Sequence, residues 1–319
     1  MRVVCLAGGV GGAKLADGLQ QVLAPGELTV VVNTGDDFER HSLLICPDHD
    51  TVAYTLAGVA DPVQGWGLAD ETWQVMDQLA RLGQETWFRI GDRDLATHLL
   101  RADRRGSGVR LTQIALELQH ALGVPSRILP MTDDPVRTRV RTDDGWLDFQ
   151  DYFVRLRQVP EVREVRYEGA ENSAITPEVQ AAIQAADAIV VAPSNPVVSI
   201  GPILAIPGFM AEIASARHRG VRVVGVSGIV GGKAVRGPAD RMLASLGEES
   251  SALGVARRYT SVGLIDIFVI DRADEPLAGQ IRSLGLEALV ADTIMTDASA
   301  RVRLAREMLA LAGSSEADA

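Results

Sequence analysis

Residues 3–7, VVCLA, form an apolar run too short for a helix and lacking alternation, which predicts a strand buried on both faces. Beyond it Leu15, Leu19, Val22 and Leu23 recur at helical spacing until Pro25-Gly26 breaks the series. A second apolar run, 28–32, follows, and a strand, helix and strand so closely spaced predict a parallel sheet. The same rhythm returns at 188–192, 221–226, 264–270 and 288–290, giving about six strands, most of them trailed by a helical segment. The expected fold is a doubly wound, mostly parallel, Rossmann-like α/β sheet.

The middle of the chain reads differently. Trp73, Met76 and Ala80 share one helical face, residues 101–108 are polar and read as an exposed loop, and Leu111, Ile114, Ala115, Leu118 and Leu122 restore helical spacing. A short strand is expected at 127–130. Arg137, Arg139 and Arg141 then alternate with Val and Thr up to the hairpin turn Asp143-Asp144-Gly145, most simply a solvated edge strand. The expected division is a nucleotide-binding core of residues 1–60 and 166–319, with an inserted α+β substrate-binding portion at 61–165.

Composition narrows the function. Over 319 residues, 31 Lys and Arg against 42 Asp and Glu leave a net charge of −11, which argues against nucleic acid or an acidic membrane as partner. An anionic substrate must therefore be met locally. Cys5 and Cys46 are the only cysteines and give neither a disulfide framework nor a thiolate metal site. The first apolar run is too short for a signal peptide, and no stretch reaches the roughly 18 apolar residues of a membrane span, so a cytoplasmic protein is expected.

The candidate chemistry collects where predicted strands end. Gly8, Gly9, Gly11 and Gly12 follow the first strand and open a helix, placing backbone N–H groups where an anion binds, with Lys14 close behind. Neither the P-loop nor the dinucleotide fingerprint is met, because Leu15 follows Lys14 and Lys14 itself stands at the third glycine position. After the second strand comes Asn33-Thr34-Gly35-Asp36-Asp37, and then Pro47-Asp48-His49-Asp50-Thr51 before a helix expected at 52–58. Such acids serve as turn and cap residues, or as hard oxygen ligands for Mg²⁺ beside a phosphate. Trp66 and Trp73 either pack in a core or stack on a flat ring. A charged loop, Arg89-Ile90-Gly91-Asp92-Arg93-Asp94, precedes His98, which reads as a satisfied helix histidine. Pro193-Ser194-Asn195 to Ser199 forms a polar loop after a strand, and 227–237 is a second glycine-rich loop carrying Lys233 and Arg236.

Taken together, GGVGGAK, VVNTGDD, CPDHDT, GDRDLATH, LPMTDDPVRT, FQDYFV, APSNPVVSIGPIL and ADTIMT resemble, in order and over almost the whole chain, the 2-phospho-L-lactate transferases of coenzyme F420 biosynthesis and their phosphoenolpyruvate-transferring relatives. The resemblance implies a Mg²⁺-dependent transfer, in which the ribityl hydroxyl of the deazaflavin Fo attacks a guanosine diphosphate ester of lactate or enolpyruvate (LPPG or EPPG) and GMP leaves. It implies diphosphate contacts from Gly8 to Gly12 and Lys14, and guanosine contacts from Asn33, Ser194, Asn195 and Ser199. Metal ligation falls to Asp36 and Asp50, with Asp37 and Asp48 as supporting or alternative ligands. Fo contacts fall to Asp50 and Arg89, with Asp92, Arg93 and Trp66 nearby, and a homodimer is implied. The alternative is a non-catalytic, regulatory nucleotide-sugar binder of the gluconeogenesis-factor type, which shares the glycine-rich start.

Overall fold

The computed structural model describes residues 1–313. Its centre is a parallel sheet of seven strands: β1 (Val3–Ala7), β2 (Leu28–Val32), β3 (Arg127–Pro130), β4 (Ala188–Val191), β5 (Arg222–Val226), β6 (Ile267–Asp271) and β7 (Glu287–Ala291), in the order β7-β6-β5-β4-β1-β2-β3. The chain winds outward one way from β1 to β3, then returns to the other side of β1 with β4. That reversal opens a crevice between β1 and β4 at their carboxyl ends.

Alternate residues of each strand feed two cores. Val3, Cys5, Ala7, Val30 and Val32 pack against Leu15 and Leu19 of helix α1 (Gly9–Val22), against Val52 of helix α2 (Pro47–Leu56), and against Leu304 and Met308 of the helix Ala298–Gly313. Val4, Leu6 and Val31 face the opposite core with Ile189, Phe209 and Phe268. Because both faces are covered, the strands read as unbroken apolar runs.

Three expectations change. The strand β3 and the helix α3 (Leu111–Ala121) before it belong to the core, since β3 pairs with β2 from Thr29↔Arg127 to Val32↔Pro130 and Ile128 is fully buried. The proposed insertion at 61–165 is thus interrupted by core elements. Residues 101–106 continue the helix Asp94–Gly106, and Arg101 is buried inside it instead of lying in a loop. The strand Arg137–Thr142 is the middle of three antiparallel strands, between Gly145–Asp148 and Glu164–Glu168; Arg139 pairs with Asp148 and Glu168 of the two neighbours, and Arg141 with Glu164. Among the described residues no helix is long and apolar enough to cross a membrane.

Candidate active site

A cleft of about 990 Å³ occupies the β1/β4 crevice. Its floor is the glycine loop after β1 and the 193–199 loop after β4. The glycines are required first by packing. A Cβ on Gly11 would lie 2.6 Å from the Pro193 carbonyl oxygen, one on Gly12 2.6 Å from Ser194 Oγ, and one on Gly8 2.5 Å from Asp48 Oδ2. Gly9 adds a left-handed conformation at φ 60°. Ser194 Oγ accepts from the Gly8 N–H at 3.0 Å and donates to the Gly8 carbonyl at 2.8 Å, stitching the two loops together. The N-terminus of α1 therefore opens into the cleft at Gly8, Gly9 and Gly11, whereas Gly12 is packed behind them.

Two cations stand over this floor. Lys14 donates to the Met295 carbonyl at 3.0 Å, and Arg236 donates to the Gln64 carbonyl from across the cleft. Neither pairs with a carboxylate among the described residues. Burial, then Arg301 and Arg236, hold the Lys14 ammonium below its usual range. Unpaired cations at a helix N-terminus favour an anion there, although the Gly8 N–H is already held by Ser194 Oγ and the Gly9 N–H by Asp48.

The acids divide into two groups of opposite character. Asp36 and Asp48 line the cleft, are almost wholly buried, and make no ion pair with a cation among the described residues. Burial, then the neighbouring Asp48 carboxylate, push Asp36 well above the ordinary carboxyl range, and burial pushes Asp48 up to about 6 against hydrogen bonds from Asn33 and the Gly9 N–H. Two buried carboxylates that both resist ionisation lack positive charge. Asp37 differs again. It is buried behind the cleft against Arg137 and Cys46, and burial raises its carboxyl to about 7.

Asp50, by contrast, already faces positive charge. Arg101 Nη2 donates to its Oδ1, and although burial alone would raise the carboxyl, Arg101 together with His49 and His98 outweighs it and holds Asp50 well below the usual range. Arg101 Nη1 also donates to the Leu44 carbonyl at 3.1 Å and to His98 Nδ1 at 3.0 Å. His98 Nε2 faces Asp94 Oδ2 at 3.4 Å, and Asp94 Oδ1 accepts from the Tyr54 hydroxyl at 2.6 Å. Asp50, Asp94 and His98 are the only three potential ligands whose atoms lie within 4.8 Å of one another among the described residues. The expected quartet of Asp36, Asp37, Asp48 and Asp50 does not form such a group. A guanidinium bonded to two members of the Asp50 cluster opposes a cation there.

Asn33 is fully buried behind the cleft. Its amide donates to Asp48 Oδ2 and to the Val198 carbonyl, and its Oδ1 accepts from the Gly35 N–H, so it holds an acid in place and has no free group for a nucleotide. Asn195 and Ser199 do line the cleft; Asn195 Oδ1 accepts from the Val197 and Val198 N–H groups, and its amide donates to Met242 Sδ at 3.8 Å.

The far wall is aromatic. Trp66 is 42% exposed on it, the Arg89 guanidinium lies 4.0 Å from the Trp73 ring, and Phe149 and Phe153 close it from the π-helical turn Asp151–Arg155 and the residues before it. Asp92 and Arg93 do not reach it. Asp92 accepts from Thr72 Oγ1 and from the Gln74 and Val75 N–H groups, and Arg93 donates to the Ala69 carbonyl, so both fasten the loop that carries Trp73. What the sequence reading missed is the Asp94, His98 and Arg101 face. Its spacing of four and three residues places all three on one side of a helix.

The family model described as 2-phospho-L-lactate transferase CofD matches residues 3–308. A phosphoenolpyruvate transferase of Streptomyces griseus is 45% identical over 317 residues, covering 98% of both chains, and one of Mycobacterium avium is 40% identical over 342, covering 98% of this chain and 99% of the relative. A 2-phospho-L-lactate transferase of Methanosarcina mazei is 38% identical over 303 residues, covering 95% and 98%. The fold is shared with a solved UPF0052-family protein of Bacillus halodurans, at a TM-score of 0.64 and 14% identity, over 97% of this chain and 98% of that one. With the match running from the first strand into the last helix, the chain belongs to the 2-phospho-L-lactate transferase (CofD) family.

Proposed function

We propose that this chain transfers a phosphoenolpyruvyl or phospholactyl group from a guanosine diphosphate donor to the ribityl hydroxyl of Fo, forming a phosphodiester and releasing GMP. The observation that carries the reading is one cleft holding two unlike halves: an anion-binding floor with unpaired Lys14 and Arg236, and an aromatic wall with Arg89 stacked on Trp73. The higher identity to phosphoenolpyruvate transferases favours the enolpyruvyl donor.

In this reading the donor diphosphate lies at the N-terminus of α1 with Lys14, and its guanosine runs along Asn195 and Ser199. The Fo ring rests on the aromatic wall. Its terminal hydroxyl reaches the buried, unpartnered Oδ2 of Asp50, which orients the oxygen toward phosphorus. The new P–O bond forms as the bond to the GMP phosphate breaks; GMP leaves with that electron pair, and the hydroxyl proton passes to the departing phosphate oxygen or to water. In-line displacement of this kind depends on positioning and charge neutralisation more than on a strong base. The residues present fit Mg²⁺: Asp36, with an unpartnered buried Oδ1, and Asp48 are all-oxygen donors facing the anion floor, and an ion held there would neutralise the diphosphate.

The test is a Mg²⁺-supplemented assay with Fo and each donor, following GMP and the phosphodiester by mass. Product is expected with the enolpyruvyl donor first. A chain that binds GDP or UDP-sugars yet yields no product from either donor is instead a regulatory binder.

A further inference from the structure

Arg101 is the largest side chain buried to within 2% of full enclosure, on a helix that lies outside the donor floor. Burying a guanidinium is costly unless every partner is well placed. Its partners here are Asp50 Oδ1, the Leu44 carbonyl and His98 Nδ1. Arginine can only donate, so His98 Nδ1 accepts, and the ring proton of a neutral His98 sits on Nε2 facing Asp94. Asp94 in turn accepts from Tyr54, which lies one turn after Asp50 on α2. The contacts thus close a ring, Asp50 to Arg101 to His98 to Asp94 to Tyr54 and back along α2.

That ring hydrogen-bonds Oδ1 of Asp50, while Oδ2 stands 3.8 Å from His98 Nδ1. Oδ2 is buried without a hydrogen-bond partner, and Asp50 lines the cleft. We infer that Arg101 is a positioning residue for the transfer: by holding Oδ1, it aims Asp50 Oδ2 at the acceptor hydroxyl. The inference rests on the acceptor reading given above. It makes the Asp50, Asp94 and His98 cluster a brace for one carboxylate, in place of a metal centre.

The test is a cycle of Arg101→Met, Asp50→Asn and the double variant, with Arg101→Lys alongside, reading Fo and GDP affinities by calorimetry and kcat with the preferred donor. The double variant removes both charges together, so neither is stranded and folding is preserved. Arg101→Met is expected to weaken Fo by about ten-fold and to lower kcat by more, with GDP affinity changed less than about two-fold. Arg101→Lys should recover part of the loss. In the Asp50→Asn chain, Arg101→Met should change Fo affinity less than about two-fold, because residues acting through one another are not additive. Losses that multiply, or Fo and GDP affinities that fall together, overturn the inference. A wild-type chain that binds Fo but moves neither group refutes the transfer, while the affinities still decide the role of Arg101.

Discussion

Asn33 donates to Asp48 Oδ2 at 2.9 Å, and so joins the end of β2 to the first turn of α2 directly beneath the donor floor. Its other amide hydrogen reaches the Val198 carbonyl at 3.2 Å, bringing in the loop after β4. Asn33→Ala strands two buried acceptors at once. Unfolding free energy should fall by about 2 kcal/mol or more in urea titration, with donor affinity falling alongside. A change within about 0.5 kcal/mol would mean that the three segments are held by other contacts.

The raised carboxyls fix a pH dependence. Asp48 and Asp37 hold protons in the folded state up to about 6 and about 7, whereas an unfolded Asp releases its proton near its ordinary value of 3.8. Between these values the folded state binds more protons than the unfolded one, so metal-free stability falls as pH rises from about 4 to 7 and then levels. Asp48→Asn should flatten the lower part of that slope. Urea midpoints at pH 5 and pH 8 for both chains check it, and an equal slope in both would remove Asp48 from the account.

Divalent cation binding separates the two acid groups. At pH 8, Mg²⁺ or Mn²⁺ should raise the thermal midpoint of the wild-type chain, because it supplies the charge that Asp36 and Asp48 lack. Asp36→Asn should stabilise the metal-free protein and abolish most of the metal-induced shift. Asp94→Asn should leave the shift in place. The reverse pattern would put the ion at Asp50, Asp94 and His98.

Gly11→Ala tests the packing of the floor. Its Cβ would meet the Pro193 carbonyl oxygen at 2.6 Å, a backbone atom that cannot swing aside. A loss of about 1–3 kcal/mol in stability is expected, with weaker GDP binding as the two loops are pushed apart. Unchanged stability would show that the β1 and β4 loops are not in firm contact.

Arg89→Ala removes the cation stacked on Trp73. The stack contributes about 0.5–1 kcal/mol at an exposed site, so Fo affinity should fall by several-fold while GDP affinity stays level. Equal losses for both ligands would assign Arg89 to the scaffold.

The sheet was legible because its strands are buried on both faces, and an apolar run such as VVCLA admits no other reading. The strand Arg127–Pro130 was also visible, but nothing in RILP says which sheet it joins; that is decided by its pairing with β2. Site loops at strand ends were legible for the same topological reason. Individual roles were less so. Asp36, Asp37, Asp48 and Asp50 look alike in sequence, and only three-dimensional neighbours separate a carboxylate facing Arg101 from one facing another carboxylate. Arg101 itself opens a polar stretch, RADRRGSG, whose exposed residues conceal the one that turns inward.

The stitch between Gly8 and Ser194 spans 186 positions of sequence. Its consequence is kinetic. Strands β1 to β3 can assemble while the chain is being made, but β1 keeps one hydrogen-bonding edge bare until Ala188–Val191 emerges to cover it. Closing so long a loop is slow, and the donor floor exists only after it has closed. In the proposed function, donor binding is therefore gained late, as a signature of completed folding, and truncation anywhere before β4 should leave a sticky half-sheet with no affinity for the donor.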